Sequence, residues 1–166
     1  MLHVSSYLSP LGRMTMASDG KAIVGLWFEG QLRYGSTLNG RVLDLRDDVM
    51  VMATDWLDCY FGGGRPDFVP PVRLMGSEFG MTVGEILMRI PYGETMSYGE
   101  VGVAAARMLG RDRMSAQAVG GAVGRNAISI IVPCHRVVGA DGKLTGYAGG
   151  LERKRALLEI EGIVLR

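Results

Sequence analysis

The chain has 166 residues, of which 48 % are hydrophobic and 21 % charged, with a formal net charge of +1. That length bounds it to one domain or two small ones, and that composition excludes a disordered chain. No stretch approaches the ~20 apolar residues of a membrane span, and Met1-Leu2-His3-Val4-Ser5-Ser6 does not read as a secretory signal.

In chain order, Val4–Leu8, Met14–Ser18 and Ala22–Phe28 read as short strands. They are separated by Ser9-Pro10-Leu11-Gly12 and Ser18-Asp19-Gly20-Lys21. Both separators have turn chemistry, so the spacing predicts a β-meander. Residues 47–61 place Val49, Met52, Ala53, Trp56, Leu57 and Tyr60 at helical spacing, with Cys59 read as packing in that helix. Gly62-Gly63-Gly64-Arg65-Pro66 ends the helix and Pro70-Pro71 extends the break, which predicts a domain boundary near residue 72.

Residues 73–166 read as mostly helical. A helix capped by Ser77 carries the stripe Phe79, Val83, Ile86, Leu87 and Ile90, with Gly80 and Gly84 inside it. Glycine in a helix interior costs about 1 kcal/mol relative to alanine. Ser97-Tyr98-Gly99-Glu100 fits a capping box at the head of the next helix. After the connection Leu109–Arg113, Ser115 caps a helix over Ala116–Val123 with Gly124 placed to end it, and the two helices resemble a helix-turn-helix. One face of that second helix is almost entirely Ala and Gly. Two readings explain it: packing against another helix, or close approach to a nucleic-acid backbone. Ile128–Val132 reads as a buried strand, Gly139–Lys143 as a hairpin turn, Leu144–Gly150 as a loop, and Leu151–Ile160 as an amphipathic helix. The basic residues lean to this half: positions 1–72 carry six Lys/Arg against eight Asp/Glu, and positions 73–166 carry twelve against nine. A phosphate-facing surface is therefore expected in the second half.

The chemistry concentrates at Pro133-Cys134-His135-Arg136-Val137. The chain has two cysteines and two histidines, and one of each stands in this dipeptide. Only a thiolate is a good nucleophile, and an ordinary cysteine, with a pKa of about 8.5, holds little of it at neutral pH. A neighbouring imidazole supplies the base. With no signal peptide read, Cys59 and Cys134 are expected to be reduced thiols of a cytoplasmic protein.

Several blocks together resemble the O6-alkylguanine-DNA alkyltransferase family. They are Ile90-Pro91-Tyr92-Gly93-Glu94-Thr95, Ser97-Tyr98-Gly99, Ala118-Val119-Gly120-Gly121-Ala122, Asn126, Pro133-Cys134-His135-Arg136-Val137, Thr145-Gly146-Tyr147-Ala148-Gly149-Gly150 and Glu161-Gly162. Leu8–Gly12 and Gly25–Glu29 resemble the family's N-terminal part more weakly. The resemblance implies an α+β protein. Residues 1–72 would be a small β-meander/α domain, ribonuclease-H-like in the family. Residues 73–166 would be a mostly helical, winged helix-turn-helix-like domain that binds DNA and accepts the alkyl group. It implies single-turnover repair, in which an alkyl group moves from O6 of guanine, or O4 of thymine, to Cys134. His135 would deprotonate the thiol through a water and Glu161 would orient the imidazole. Asn126 would tie the recognition helix to the active-site loop. Tyr98 would hydrogen-bond the base and protonate guanine at N3.

The resemblance further implies that Tyr147 packs on a flipped base and the Ala148 N–H faces O6, with Gly149 beside them. The carbonyls of Cys134 and Val137 would accept from the guanine amino group. Ser115, Ala116, Gln117, Ala118, Gly120, Arg113 and Arg136 would meet duplex DNA along the minor groove, with Arg111 near a phosphate. Alkylated double-stranded DNA is the expected partner; no obligatory protein partner, membrane, cofactor or metal is expected. Two departures stand out. Gln117 occupies a position where the family commonly has an arginine that fills the place of the flipped base. Phe79-Gly80-Met81-Thr82-Val83-Gly84 replaces the usual Phe-Gln-x-x-Val-Trp. Some members hold a structural zinc in the N-terminal domain, for which only His3 and Cys59 are at hand, too few for a tetrahedral site. Two other readings remain: a sensor that binds alkylated DNA without reacting, and a Cys-His hydrolase on an α+β scaffold.

Overall fold

A computed structural model describes residues 1–165. They divide into two compact units: Met1–Leu74 with Ala127–Ile131, and Met75–Asn126 with Val132 onward.

In the first unit, β1 (Leu2–Ser9), β2 (Gly12–Ser18) and β3 (Ile23–Phe28) form the expected antiparallel meander. Its turns are built by side chains. Ser9 Oγ accepts from Leu11 N at 3.1 Å and donates to Gly12 O at 2.6 Å. Asp19 Oδ1 accepts from Lys21 N and Ala22 N, both at 2.9 Å. A fourth strand, β4 (Val42–Asp44), adds in parallel to β1, so the sheet order is β3-β2-β1-β4. This three-residue strand is exposed throughout and has no periodicity from which it could be read. Strand β3 is buried at every position. Trp27 lies flat over Gly25, two residues back on the same face, and a Cβ at Gly25 would overlap its indole.

Helix α1 (Asp48–Phe61) is capped by Asp47, whose Oδ1 accepts from Met50 N at 3.0 Å while Oδ2 holds His3 Nδ1 at 2.7 Å and the Ser18 hydroxyl. One carboxylate thus ties the helix start to two strands. The inward face is Val49, Met50, Ala53, Trp56, Leu57 and Tyr60. Met52 and Cys59, both expected inside, point to solvent. Met50, one turn before Ala53 and two before Leu57, takes the inward place expected for Met52. Ala127–Ile131 joins this unit by exchanging hydrogen bonds with Leu26 (Leu26 N to Ala127 O, 2.8 Å; Ser129 N to Leu26 O, 2.9 Å). It makes one parallel bridge, not the strand expected over residues 128–132. Ile130 takes φ +69°, a left-handed conformation that costs a β-branched residue about 1–3 kcal/mol and ends any extended run.

The second unit is helical, as expected. Ser77 Oγ caps α2 (Glu78–Met88) through Gly80 N at 3.0 Å. A Cβ at Gly80 would lie 3.2 Å from that oxygen, and Gly84 falls on the buried face. The capping box of α3 (Tyr98–Leu109) is complete: Ser97 Oγ accepts from Glu100 N and Glu100 Oε1 accepts from Ser97 N, both at 3.1 Å. Gly110, at φ +65°, ends the helix in the left-handed conformation. Ser115 Oγ caps α4 (Ala116–Gly124) through Ala118 N at 3.0 Å. Helices α2, α3 and α4 pack on one another. Two two-residue strands, β5 (Met96–Ser97) and β6 (Val137–Val138), pair in parallel. Gly139–Lys143 closes a turn, with Gly139 N to Lys143 O at 2.8 Å, but no strand returns from it, so the expected hairpin is absent. Helix α5 (Leu151–Ile160) follows.

Gly25→Ala should destabilise the protein by about 1–3 kcal/mol, because the new methyl must displace a fully buried indole. A urea-unfolding midpoint equal to wild type would contradict this packing.

Candidate active site

Val132 O receives both Cys134 N, at 2.8 Å, and Asn126 Nδ2, at 2.8 Å. The first bond makes a tight turn into the 3-10 segment Cys134–Arg136, which Arg136 N to Pro133 O closes at 3.0 Å; the second ties that segment to Asn126, two residues past α4. Cys134 is 7 % exposed and His135 fully buried. Burial pushes the Cys134 thiol up, against Asn126 and Lys154, which pull it down. The resting group is therefore a protonated thiol that needs a base.

That base is held by Glu161, at the C-cap of α5. His135 Nε2 meets Glu161 Oε2 at 2.6 Å, and Arg136 Nε donates to Glu161 Oε1 at 2.8 Å. The Gly93 N–H donates to the same Oε1 at 2.9 Å. Burial works to raise the Glu161 carboxyl, but the hydrogen bonds from His135, Arg136 and Gly93 outweigh it and hold its pKa at about 2. Burial lowers the His135 imidazole, and Glu161 only partly offsets that. The proton on Nε2 faces an ionised carboxylate, so Nδ1 is the ring nitrogen that accepts a proton.

Arg136 was expected to face DNA. It is instead 7 % exposed, with Nε on Glu161, Nη1 on Ile90 O at 2.7 Å, and its guanidinium 5.8 Å from the centre of the Tyr92 ring. A guanidinium so enclosed has no face left for a phosphate.

Sequence reasoning missed Lys154. Its ammonium is buried and donates to the carbonyls of Val137 (2.5 Å), Thr145 (2.6 Å) and Gly146 (2.9 Å). Burial pushes its pKa down to about 8, with Cys134 acting in the opposite direction. The signal was present: Lys154, Leu157, Leu158 and Glu161 stand at i, i+3, i+4 and i+7, so two charges occupy the inward stripe of α5. Tyr98 OH donates to the same Thr145 O at 3.2 Å, and its ring lies 5.8 Å from the Lys154 ammonium. Burial raises the Tyr98 phenol, so it keeps its proton. Gly146, at φ +54°, is required there, since a Cβ would lie 3.3 Å from Tyr98 OH. The sequence-derived Tyr147, Ala148 and Gly149 follow, half-buried, and Arg153 Nη1 holds Gly149 O at 3.2 Å. The carbonyl of Cys134 accepts from Val137 N, and that of Val137 carries Lys154 on one lone pair.

Helix α4 presents Ser115, Ala116 and Gln117 exposed, with Ala118 and Gly120 half-buried. A Cβ at Gly120 would meet nothing within 4 Å, so no helix packing demands that glycine. The close helix contact is made by Gly102 of α3, where a Cβ would lie 3.2 Å from Val119. A groove of about 470 Å³ between α3 and α4 is lined by Tyr98, Gly102, Ala106, Arg107, Arg111 and Arg113. Among the described residues no cluster of three or more His, Cys, Asp or Glu could hold a metal ion, and no helix is long and apolar enough to cross a membrane.

A buried thiol one residue from a carboxylate-held imidazole, carried by a helical unit whose helix α4 turns a slim face outward, can accept a transferred group. Residues 2–74 match the model of the 6-O-methylguanine DNA methyltransferase ribonuclease-like domain, and residues 78–163 that of its DNA-binding domain. The methylated-DNA–protein-cysteine methyltransferase of Mycobacterium tuberculosis is 44 % identical over 161 residues, covering 97 % of this chain and 93 % of that one. The protein of that name in Methanosarcina acetivorans is 38 % identical, covering 97 % and 99 %. A crystal structure of Mycobacterium tuberculosis OGT in complex with DNA aligns with TM-score 0.81 and 42 % identity, covering 96 % and 92 %. The chain belongs to the 6-O-methylguanine DNA methyltransferase family.

Stability should fall as pH drops below about 6.5. Over that range the unfolded chain protonates His135 while the folded protein, with its lowered imidazole, does not. Below Glu161's ordinary 4.5 the same holds for its carboxyl, down to about 2. Glu161→Gln should lose about 3 kcal/mol at pH 7 and show a shallower decline below pH 4.5. Urea midpoints measured from pH 7 to pH 3 check both.

Proposed function

We propose that Cys134 is the acceptor in the direct, stoichiometric repair of O6-alkylguanine in double-stranded DNA, the reaction of this family. The observation that carries the reading is the buried Cys134 thiol one residue from an imidazole whose Nε2 is held by an ionised carboxylate. His135 takes the thiol proton through a water at Nδ1 while Glu161 keeps Nε2–H oriented and balances the imidazolium charge. The thiolate attacks the alkyl carbon, a C–S bond forms and the C–O6 bond breaks. The electron pair moves onto the guanine, where the Tyr98 phenol supplies a proton at N3. The His135 imidazolium then gives up its extra proton to solvent and the Tyr98 phenolate takes one back, so that the net change is one proton lost by sulfur, one gained by guanine, and the alkyl group moved to sulfur. A thioether does not leave again, so each molecule reacts once.

The target atom lies inside a duplex, so the base swings out of the stack into the site. Tyr147 packs on it, and the Ala148 N–H, Gly149 and the carbonyls of Cys134 and Val137 line its edge. Asn126 joins α4 to the acceptor turn. Helix α4 enters the minor groove through Ser115, Ala116, Gln117, Ala118 and Gly120, where a bulky face would clash. Arg113 and Arg111 meet phosphates. Residues 1–72 act as the ribonuclease-like domain and residues 73–166 as the DNA-binding and alkyl-acceptor domain of a cytoplasmic protein. The chemistry needs no cofactor.

Incubation with O6-benzylguanine should add one benzyl group to Cys134 by mass spectrometry, and Cys134→Ser should take none. Binding of alkylated DNA without an adduct would indicate a sensor, and no response at all a hydrolase.

Gln117 has no charge to hold the gap left by the flipped base. Gln117→Arg should therefore speed transfer from duplex substrate by about tenfold, the equivalent of one charge-assisted hydrogen bond, and leave the rate with free O6-benzylguanine unchanged. Equal effects on both substrates would refute the role of this side chain in the duplex.

A further inference from the structure

Glu161 has two oxygens with different partners. Oε2 meets the imidazole Nε2 at 2.6 Å. Oε1 is occupied twice, by Arg136 Nε at 2.8 Å and Gly93 N at 2.9 Å. Arg136 has no freedom to leave: its Nη1 is bound to Ile90 O at 2.7 Å and its plane lies 5.8 Å from the centre of the Tyr92 ring. Both side chains of the ion pair are 9 % exposed or less. The guanidinium is thus built into the acceptor site, one residue past the base, with no role yet in the reaction.

We propose that Arg136 is a positioning residue for alkyl transfer: it occupies Glu161 Oε1 and neutralises the carboxylate, so that His135 rests as a neutral imidazole able to receive the thiol proton. The inference rests on His135 acting as the base.

Charge counting gives the reason. With Arg136 present, the bonded group of Arg⁺, Glu⁻ and neutral His sums to zero, while Lys154 is committed to three carbonyls of its own. Without it, the Glu⁻ beside a neutral ring has no cation bonded to it and draws a proton onto the ring. An imidazole that already holds two protons cannot take a third from sulfur. Other groups act on the ring or on the carboxylate that holds it. From α5 come Glu161 and Lys154, the first favouring the imidazolium and the second opposing it. From its own turn come Arg136, which also opposes it, and Cys134. The turn after α2 contributes Tyr92 and the Gly93 N–H, neither of them charged. Removing Arg136 thus removes one of two opposing cations, the one bonded to the carboxylate itself.

The test is the pH dependence of S-benzylation by free O6-benzylguanine, which avoids any effect on DNA binding. The acid limb reports loss of the ring proton. In Arg136→Gln it should move toward neutral pH by about one unit; in Arg136→Lys, which restores the cation, it should return to within a few tenths of wild type. An acid limb that does not move in Arg136→Gln overturns the proposal, and so does a lysine variant that behaves like the glutamine one. Because Arg136→Gln exposes a buried carboxylate oxygen and could unfold, a second measurement uses the unaltered protein. The ¹⁵N shifts of His135 should show a neutral ring protonated at Nε2 at pH 7, and an imidazolium there overturns the proposal. If wild type forms no adduct, the acceptor role of Cys134 fails, and the ¹⁵N measurement still decides the resting state that Arg136 is proposed to set.

Discussion

A carboxylate shut away from water stays ionised only when its oxygens are met by donors. Glu161 meets three, from His135, Arg136 and the Gly93 N–H, and these come from the acceptor turn and the turn after α2 while the carboxylate itself sits at the end of α5. No local preference would bring those segments together. Their convergence on one charge fixes the His135 ring, and with it the nitrogen that faces away from the carboxylate. Packing and chemistry are therefore the same constraint in this unit. A substitution that spared the fold but lost the charge would leave the His135 ring without its holder, next to a thiol that burial pushes toward its protonated form.

The opposite charge on the same helix face performs a different task. Lys154 gathers three main-chain carbonyls, one from β6 and two from the loop that follows, and shares Thr145 O with the Tyr98 hydroxyl. A loop rich in glycine loses much entropy when it is ordered. A buried ammonium with three acceptors supplies the directional bonds that hold it. The Tyr98 hydroxyl and the His135 ring are thus each held by one of two charges seven residues apart, each satisfied on its own side.

Glycines in the helix pair answer to two unlike demands. Gly102 lets α3 and α4 approach, because a Cβ there would press on Val119. Gly120 faces open space, so the fold of this unit does not require it. A helix that gives up about 1 kcal/mol of propensity on an open face has an external reason for being slim, and a narrow nucleic-acid groove is such a reason. The bare sequence could not separate these two readings, because both produce the same run of small residues.

Local signals were legible from the residues alone. The meander turns, the Ser77 and Ser115 caps, the Ser97–Glu100 capping box and the Cys134-His135 pair each involve partners within a few positions, or a period that a single segment displays. What the tertiary structure decided was every contact between distant segments. Strand β4 pairs only because β1 offers an edge. Ile128–Val132 has the composition of a strand, yet Ile130 turns left-handed and the run bends. Arg136 resembles any basic residue near a DNA-binding helix until Glu161, 25 positions on, is found to claim it. Lys154 reads as one more surface cation of α5 until the inward stripe is seen to carry it. A sequence states which groups are charged; only the fold states which of those charges lose their water, and that loss is what gives a side chain one fixed partner.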